Sequence, residues 1–255
     1  MNRLGIIAAL PAEAKCLHYK NLNVAAPVEI QKDIFLCLSG MGYKSAHNAT
    51  KELLGLKVDA LISWGVAGAI DNSLNPGDLI LAESIISEDK IYKISNEWFR
   101  QISEHFQKTP YKVFNGDIAS NRAICASTTD KKLLFQKTSA LAVDMESASI
   151  VELASANNID FLVIRAIADD TGTSIPEAVL NHTDSLGKSD PIPFLLSCLK
   201  KPGQINNLFK LARCYKQALK TLKHIAPDLK KQHFLYTQNS VNRLIPNKNN
   251  RKLQG

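Results

Sequence analysis

Four short apolar runs constrain this 255-residue chain more than any other feature. Residues 4–10 stop at Pro11, 34–39 at Gly40-Met41-Gly42, 58–64 at Gly65-Val66-Ala67-Gly68, and 161–167 just before Asp169 and Asp170. Runs of this length, bounded by Gly, Pro or an acid, suit strands buried on both faces. Residues 45–54 and 148–157 read as helices between them. Residues 79–82 form a further strand behind the turn Asn75-Pro76-Gly77-Asp78. Residues 140–143 are a shorter apolar segment, and 88–112 read as helix plus loop. Strands alternating with helices predict an α/β fold with three layers, α/β/α, around a central mixed, mostly parallel, twisted sheet. The length suits one large domain.

Charge divides the chain. Residues 198–255 carry 13 Lys and Arg against one acid, Asp228, a net of +12, while the other 18 basic and 23 acidic residues leave −5 for the remainder. This predicts a main body over 1–197, a basic amphipathic helical extension over 198–226 and a basic, loose tail over 227–255. In 205–225, apolar Ile205, Leu208, Phe209, Ala212, Tyr215, Leu219 and Leu222 recur at helical spacing. Lys210, Arg213, Lys216, Lys220 and Lys223 fill other positions. A basic helix on a mildly acidic body suggests an anionic partner. A membrane surface fits better than nucleic acid, because no aromatic interleaving marks a nucleic-acid motif. The other reading is a solvated helix face.

No apolar run is long enough to span a bilayer. The start reads as a first strand and not as a signal peptide, since Pro11 and Glu13 follow at once. The five cysteines (16, 37, 125, 198, 214) form no CxxC, and the six histidines are scattered. We therefore expect no metal, no cofactor and reduced thiols in a cytoplasmic protein, either free or peripheral on the inner face of the plasma membrane.

Three acids, Glu13, Glu146 and Asp169, stand just past the C-terminal ends of expected strands, where open α/β sheets bind ligands. Glu146 and Asp144 interrupt the apolar stretch Ala142-Val143-Asp144-Met145-Glu146-Ser147-Ala148. A helix cap is the ordinary use of an acid in such a place. The glycines at 40, 42, 65 and 68 allow tight turns and close approach of backbone N–H groups to a ligand. Neither glycine segment is GxGxxG with a ribose-binding acid, nor GxxxxGK[ST], which excludes dinucleotide oxidoreductases and P-loop ATPases.

Taken in order, the segments Gly5–Ile6–Ile7–Ala8–Ala9–Leu10–Pro11–Ala12–Glu13, Ser39-Gly40-Met41-Gly42, Gly65-Val66-Ala67-Gly68, Val143-Asp144-Met145-Glu146 and Arg165-Ala166-Ile167-Ala168-Asp169 resemble the nucleoside phosphorylase/nucleosidase superfamily (purine/uridine phosphorylase family 1). They are similar to the methylthioadenosine/S-adenosylhomocysteine nucleosidases over roughly residues 4–170. A narrower resemblance is to the hopanoid-associated phosphorylases. It rests on residues 61–69 (Leu61-Ile62-Ser63-Trp64 onward), Pro76-Gly77-Asp78-Leu79, residues 142–147, Lys201-Pro202-Gly203-Gln204 and the run 208–219 with Leu211-Ala212-Arg213.

This resemblance implies N-glycosidic cleavage of an adenosine-type substrate. The narrower one implies adenine release from adenosylhopane, a lipid-linked substrate of hopanoid biosynthesis, and the superfamily implies a homodimer or larger assembly. Asp169 would protonate adenine N7 as general acid, and Glu13 would deprotonate a water. Glu146 would accept from the ribose 2′- and 3′-hydroxyls, with Met145 against the sugar and Asp144 in a structural role. Val66, Ala67, Gly68, Ile124 and Ala168 would line the base pocket. Ser39, Gly40 and Gly42 would form the loop at the nucleophile.

The chain also departs from these families. The soluble nucleosidases carry serine at Val66 and Ala168 and an adenine-stacking phenylalanine at Ala123. No arginine accompanies the glycine loops, where Lys44 is the nearest cation, so water is favoured over phosphate as nucleophile. The alternatives are a soluble methylthioadenosine/S-adenosylhomocysteine nucleosidase or purine nucleoside phosphorylase, and an inactive nucleoside- or lipid-binding protein.

Overall fold

The apolar run at 4–10 divides at Pro11. In the computed structural model Leu4–Ala8 is β1, fully buried, and Pro11 opens helix α1, Pro11–Cys16. A proline in the first turn costs no helical hydrogen bond. Residues 3–17, 22–94, 96–182, 184–187 and 205–230 are described. Cys198, Lys201-Pro202-Gly203-Gln204 and everything past residue 230 lie outside them, and with them most of the expected tail.

The other strands are β2 (Val28–Gln31), β3 (Ile34–Leu38), β4 (Ala60–Ala69), β5 (Leu79–Ile86), β6 (Ile91–Lys93), β7 (Val113–Ser120), β8 (Ala142–Asp144) and β9 (Asp160–Asp169). The helices are α2 (Tyr43–Gly55), α3 (Glu97–Gln107), α4 (Thr128–Thr138), α5 (Ser147–Ala156), α6 (Glu177–His182) and α7 (Ile205–Ile225). All four apolar runs contain strands, and 45–54 and 148–157 are helical. The reading of 88–112 missed β6, and β2, β7 and α4 carried too little apolar periodicity to be found.

The sheet is mixed, in the order β2-β3-β1-β4-β8-β7-β5-β6, with β9 pairing both β4 and β5. β1 runs parallel to β3 and β4, β4 to β9, β5 to β7 and β7 to β8. β2–β3, β4–β8, β5–β9 and β5–β6 are antiparallel. The pairings β4–β8–β7–β5–β9–β4 also close a ring. This closure gives β9 hydrogen-bonded neighbours on both sides, which explains its unbroken burial from Phe161 onward.

Helix α7 packs on β9 and α1. Its buried residues are Cys214, Ala218, Thr221, Leu222 and Ile225. Thr221 Oγ1 donates to the carbonyl of Gly77 (2.7 Å), which ties the helix to the Asn75–Asp78 turn. The buried stripe is displaced from the one read in sequence, for Phe209 is 71% exposed and Ala212 is exposed. Lys210, Arg213, Lys216, Lys220 and Lys223 all face solvent. No helix among the described residues is long and apolar enough to cross a membrane.

Candidate active site

β4 organises the candidate site, because an acid from another element meets each of its two terminal glycines. Glu13, in the first turn of α1, is 3% exposed. Its carboxylate accepts from the backbone N–H of Ala9 (3.0 Å), Leu10 (2.8 Å) and Val66 (2.9 Å). A Cβ at position 65 would stand 2.6 Å from Glu13 Oε1, so the approach requires glycine. Burial raises the proton affinity of Glu13, while the Val66, Leu10 and Ala9 amides and the nearby Arg165 oppose the rise.

Asp169 ends β9 and pairs in register with Gly68 across a bulge. A Cβ at Gly68 would come 3.2 Å from Asp169 Oδ1. Three residues of strand separate positions 65 and 68, roughly 10 Å at about 3.3 Å per residue. Burial raises the proton affinity of Asp169 as well. The opposing influence is a partner the sequence reading missed, the ammonium of Lys131. Lys131 is 1% exposed and reaches Asp169 Oδ2 from α4. Asp170, the next residue, is pulled to lower pKa by hydrogen bonds from Thr173 and Lys210 despite partial burial.

The two acids of the Asp144-Met145-Glu146 segment do different things. Asp144 accepts from Ser147 N (3.2 Å), Ser147 Oγ, Arg165 Nε (3.0 Å) and Arg165 NH2 (2.8 Å). Arg165 NH2 also donates to Ser63 Oγ (2.6 Å) and Ser147 Oγ (2.9 Å), and NH1 to the carbonyl of Ile164 (3.2 Å). Asp144 is thus the buried counter-ion of Arg165, a structural role. Arg165 hides inside the apolar run 161–167, which is why reading by hydrophobicity passed over it.

Glu146 occupies the N-cap position of α5, yet its side chain makes no cap hydrogen bond. It turns away and accepts from Gly42 N (2.7 Å) and Met145 N (3.3 Å). The protein itself supplies these donors, so the burial of Glu146 needs no sugar hydroxyl to explain it. Desolvation, with Asp144 and Glu13 nearby, pushes its pKa up to about 7. Gly42 adopts φ +90°, the left-handed region that aims its N–H at the acid. Ser39 is buried, its Oγ donating to the carbonyl of Gly40 (2.7 Å).

Glu13, Glu146 and Arg165 share a cavity of about 10 Å³ with Ile7, Ser63, Trp64, Gly65, Val66 and Ile150. A second, open pocket of about 250 Å³ lies beside Met145 and is lined by Tyr43, Glu88, Asp89, Lys90, Arg122 and Glu152, among others. Of the residues expected around a base, Ala67 and Ala168 are buried, Val66 is half-buried with its N–H on Glu13, and Ile124 is 41% exposed. The structure therefore brings Glu13 and Glu146 to one cavity and sets Asp169, at the end of β9, further along β4 beside Gly68. Buried carboxylates with raised proton affinity, set at two points along one strand, can divide acid and base work between them.

The sequence profile of the phosphorylase superfamily matches residues 3–189. The chain belongs to the phosphorylase superfamily. Among curated relatives of this superfamily member, the 5′-methylthioadenosine/S-adenosylhomocysteine nucleosidase of Buchnera aphidicola is 28% identical, covering 72% of this chain and 90% of that one. The enzyme of the same name from Staphylococcus aureus is 25% identical over 65% of this chain and 86% of its own. The 5′-methylthioadenosine/S-adenosylhomocysteine nucleosidase of Neisseria meningitidis in complex with methylthio-immucillin-A is a structural neighbour. It matches with a TM-score of 0.66 at 18% identity, covering 90% of this chain and 99% of that one. Futalosine hydrolase of Helicobacter pylori matches with a TM-score of 0.64 at 19% identity, covering 89% and 98%. At such identities the structural likeness shows the fold.

Proposed function

We propose that this protein is a nucleosidase that hydrolyses the C1′–N9 bond of an adenosine-type nucleoside. The small cavity between Glu13, Glu146 and Arg165 carries this reading. About 10 Å³ is room for a single water with polar partners, which favours water over phosphate as the nucleophile. Arg165, the nearest guanidinium, is already committed to Asp144, Ser63 and Ser147.

Glu13, held by three backbone N–H groups, takes a proton from the water as it attacks C1′. A raised proton affinity makes it a stronger base near neutral pH. The ribose develops oxocarbenium character, which ionised Glu146 stabilises through the 2′- and 3′-hydroxyls, with Met145 against the sugar. The electron pair of the breaking bond moves into the adenine, and Asp169 delivers its proton to N7. The separation of roughly 10 Å along β4 leaves room for the nucleoside between base and acid.

Adenosylhopane is the substrate favoured by the motifs shared with the hopanoid-associated group. The exposed cations Arg213, Lys216, Lys220 and Lys223 of α7 suit it too, since each basic residue near an anionic bilayer contributes about 1 kcal/mol, while Lys210 is paired with Asp170. The apolar face of α7 lies against the body, so binding at a membrane rests on this basic face and on Phe209. One observation favours a second reading. The open pocket beside Met145 is charged, which suits a small nucleoside with a polar 5′-substituent, such as S-adenosylhomocysteine.

The test is adenine release in phosphate-free buffer, from adenosylhopane in detergent micelles and from S-adenosylhomocysteine. Release from adenosylhopane supports the first reading, and release from S-adenosylhomocysteine alone supports the second. Dependence on added phosphate overturns the water nucleophile. No release from either compound overturns the nucleosidase reading in favour of a binding protein.

A further inference from the structure

Helix α4 has one buried residue, and it is a lysine. Lysine is among the residues least often fully buried, because an ammonium taken out of water must be compensated at each donor. At Lys131 that compensation is complete. Its Nζ reaches the carboxylate of Asp169, the carbonyl of Asp170 (2.6 Å) and the carbonyl of Thr173 (3.1 Å). Three acceptors match the three N–H groups of an ammonium.

The 170–173 turn does not need the lysine to form. It closes on itself through Thr173 N to the Asp170 carbonyl (3.2 Å) and Thr173 Oγ1 to Asp170 Oδ1 (2.6 Å). The contact with a clear chemical consequence is the one to Asp169. We infer that Lys131 is a positioning residue for the glycosidic cleavage, fixing the carboxylate of Asp169 at Oδ2 and supplying the positive charge left facing it once its proton has gone. The inference rests on Asp169 being the general acid of the proposed reaction.

The step is simple. The O–H bond of Asp169 breaks, its proton goes to adenine N7, and the electron pair of C1′–N9 moves into the base. The carboxylate that remains is paired with the ammonium, whose own protons stay in place. Lys131 thereby offsets burial. Burial alone would make Asp169 hold its proton too tightly to give it up, and the cation makes it a stronger acid.

Other charged and titratable groups face Asp169. Asp170 follows it in the chain, Lys210 projects from α7, and the thiols of Cys125 and Cys214 lie on the β7–α4 connection and on α7. Lys210 is 47% exposed and pairs with Asp170 at 2.9 Å. Lys131 is therefore the buried cation on the acid among the described residues.

The sign of the effect follows. Asp169 must carry a proton to work, so activity falls as pH rises through its titration. Removing the ammonium removes an influence that lowers its proton affinity, so the fall moves to higher pH. The experiment is the pH profile of kcat for adenine release by the full chain, with Lys131→Met, Lys131→Gln and Lys131→Arg. Gln keeps an amide donor for the two carbonyls while losing the charge, so it serves if Met does not fold. We expect the alkaline limb to rise by at least one pH unit in Met and Gln, with kcat at the plateau at least tenfold lower. Arg should keep the limb within a few tenths of a unit of the wild type.

A limb that stays put in the charge-free variants overturns the inference and leaves Lys131 as a structural tie. Asp169→Asn separates this from the underlying reading. If that variant keeps the wild-type alkaline limb and rate, Asp169 is not the acid, and both the assignment and the inference fall. If it is inactive while the lysine variants are unshifted, the inference alone falls.

Discussion

The two ends of the site hold their carboxylates by different means. At one end Glu13 lies among three backbone N–H groups, with no cation hydrogen-bonded to it among the described residues. At the other, Asp169 rests on the ammonium of a buried lysine. Both acids are buried and both have raised proton affinity, but the opposing forces differ. Amide dipoles stabilise a carboxylate without supplying a net charge, which suits a base that must accept a proton. A full positive charge favours the ionised form more strongly, which suits an acid that must release one. Two carboxylates, from α1 and from β9, thus meet one strand, β4, in environments suited to the opposite tasks proposed for them.

The largest effects should come from removing either end. Glu13→Gln and Asp169→Asn should each lower kcat for adenine release by about 10²–10⁴-fold, with thermal melts showing the variants still fold. A Glu13→Gln protein with full activity would break the comparison at its base end. The support beneath the site comes next. Arg165→Met leaves Asp144 buried without its counter-ion and should destabilise the fold by about 3–5 kcal/mol in denaturant titrations. A loss below about 1 kcal/mol would mean that Ser147 alone satisfies Asp144.

The glycines sharpen the comparison. Gly65→Ala puts a Cβ 2.6 Å from Glu13 Oε1, whereas Gly68→Ala puts one 3.2 Å from Asp169 Oδ1. Displacing a catalytic group by about 1 Å costs on the order of 10²-fold, so Gly65→Ala should lower kcat by about that factor. Gly68→Ala should cost about tenfold or less, because its neighbour must give by only a few tenths of an ångström. Equal losses would show that the two carboxylates are held with equal slack.

The smallest effect concerns pH. Glu146 rises from 4.5 to about 7 on folding. The folded state therefore binds this proton more tightly than the unfolded state does. Its contribution is fully present below about pH 4.5 and is lost as pH climbs through about 7. Melting temperature should decline over that window, and Glu146→Gln should flatten the decline. An unchanged slope would remove Glu146 from the account of stability.

Much of the fold was legible because buried strands and their stops are local. The runs at 4–10, 34–39, 58–64 and 161–167 were long enough to recognise, and the glycines and acids at their ends marked one edge of a sheet. β7 and α4 were not, since neither shows an apolar period. α4 had a local sign all the same. Ser127 and Asp130 form a capping box, with Asp130 N donating to Ser127 Oγ at 3.0 Å, and Ser-x-x-Asp was readable. Asp144 was expected in a structural role and pairs with Arg165, but that pairing was not readable, because Arg165 stands inside an apolar run 21 residues away.

By itself, then, the sequence determined the apolar strands β1, β3, β4 and β9, the turns that follow them and the positions of Glu13, Glu146 and Asp169 near strand ends. Those follow from residue size, apolarity and backbone freedom over a few neighbours. Only the tertiary structure decided which donors each acid meets. Lys131 lies 38 residues from Asp169 and Arg165 lies 21 from Asp144, and Gly42 lies 104 from Glu146. The closure of the strand ring through β9 and the packing of α4 bring these partners together. The reason is physical: proton affinity depends on burial and on charges within a few ångströms, and sequence distance carries no record of either.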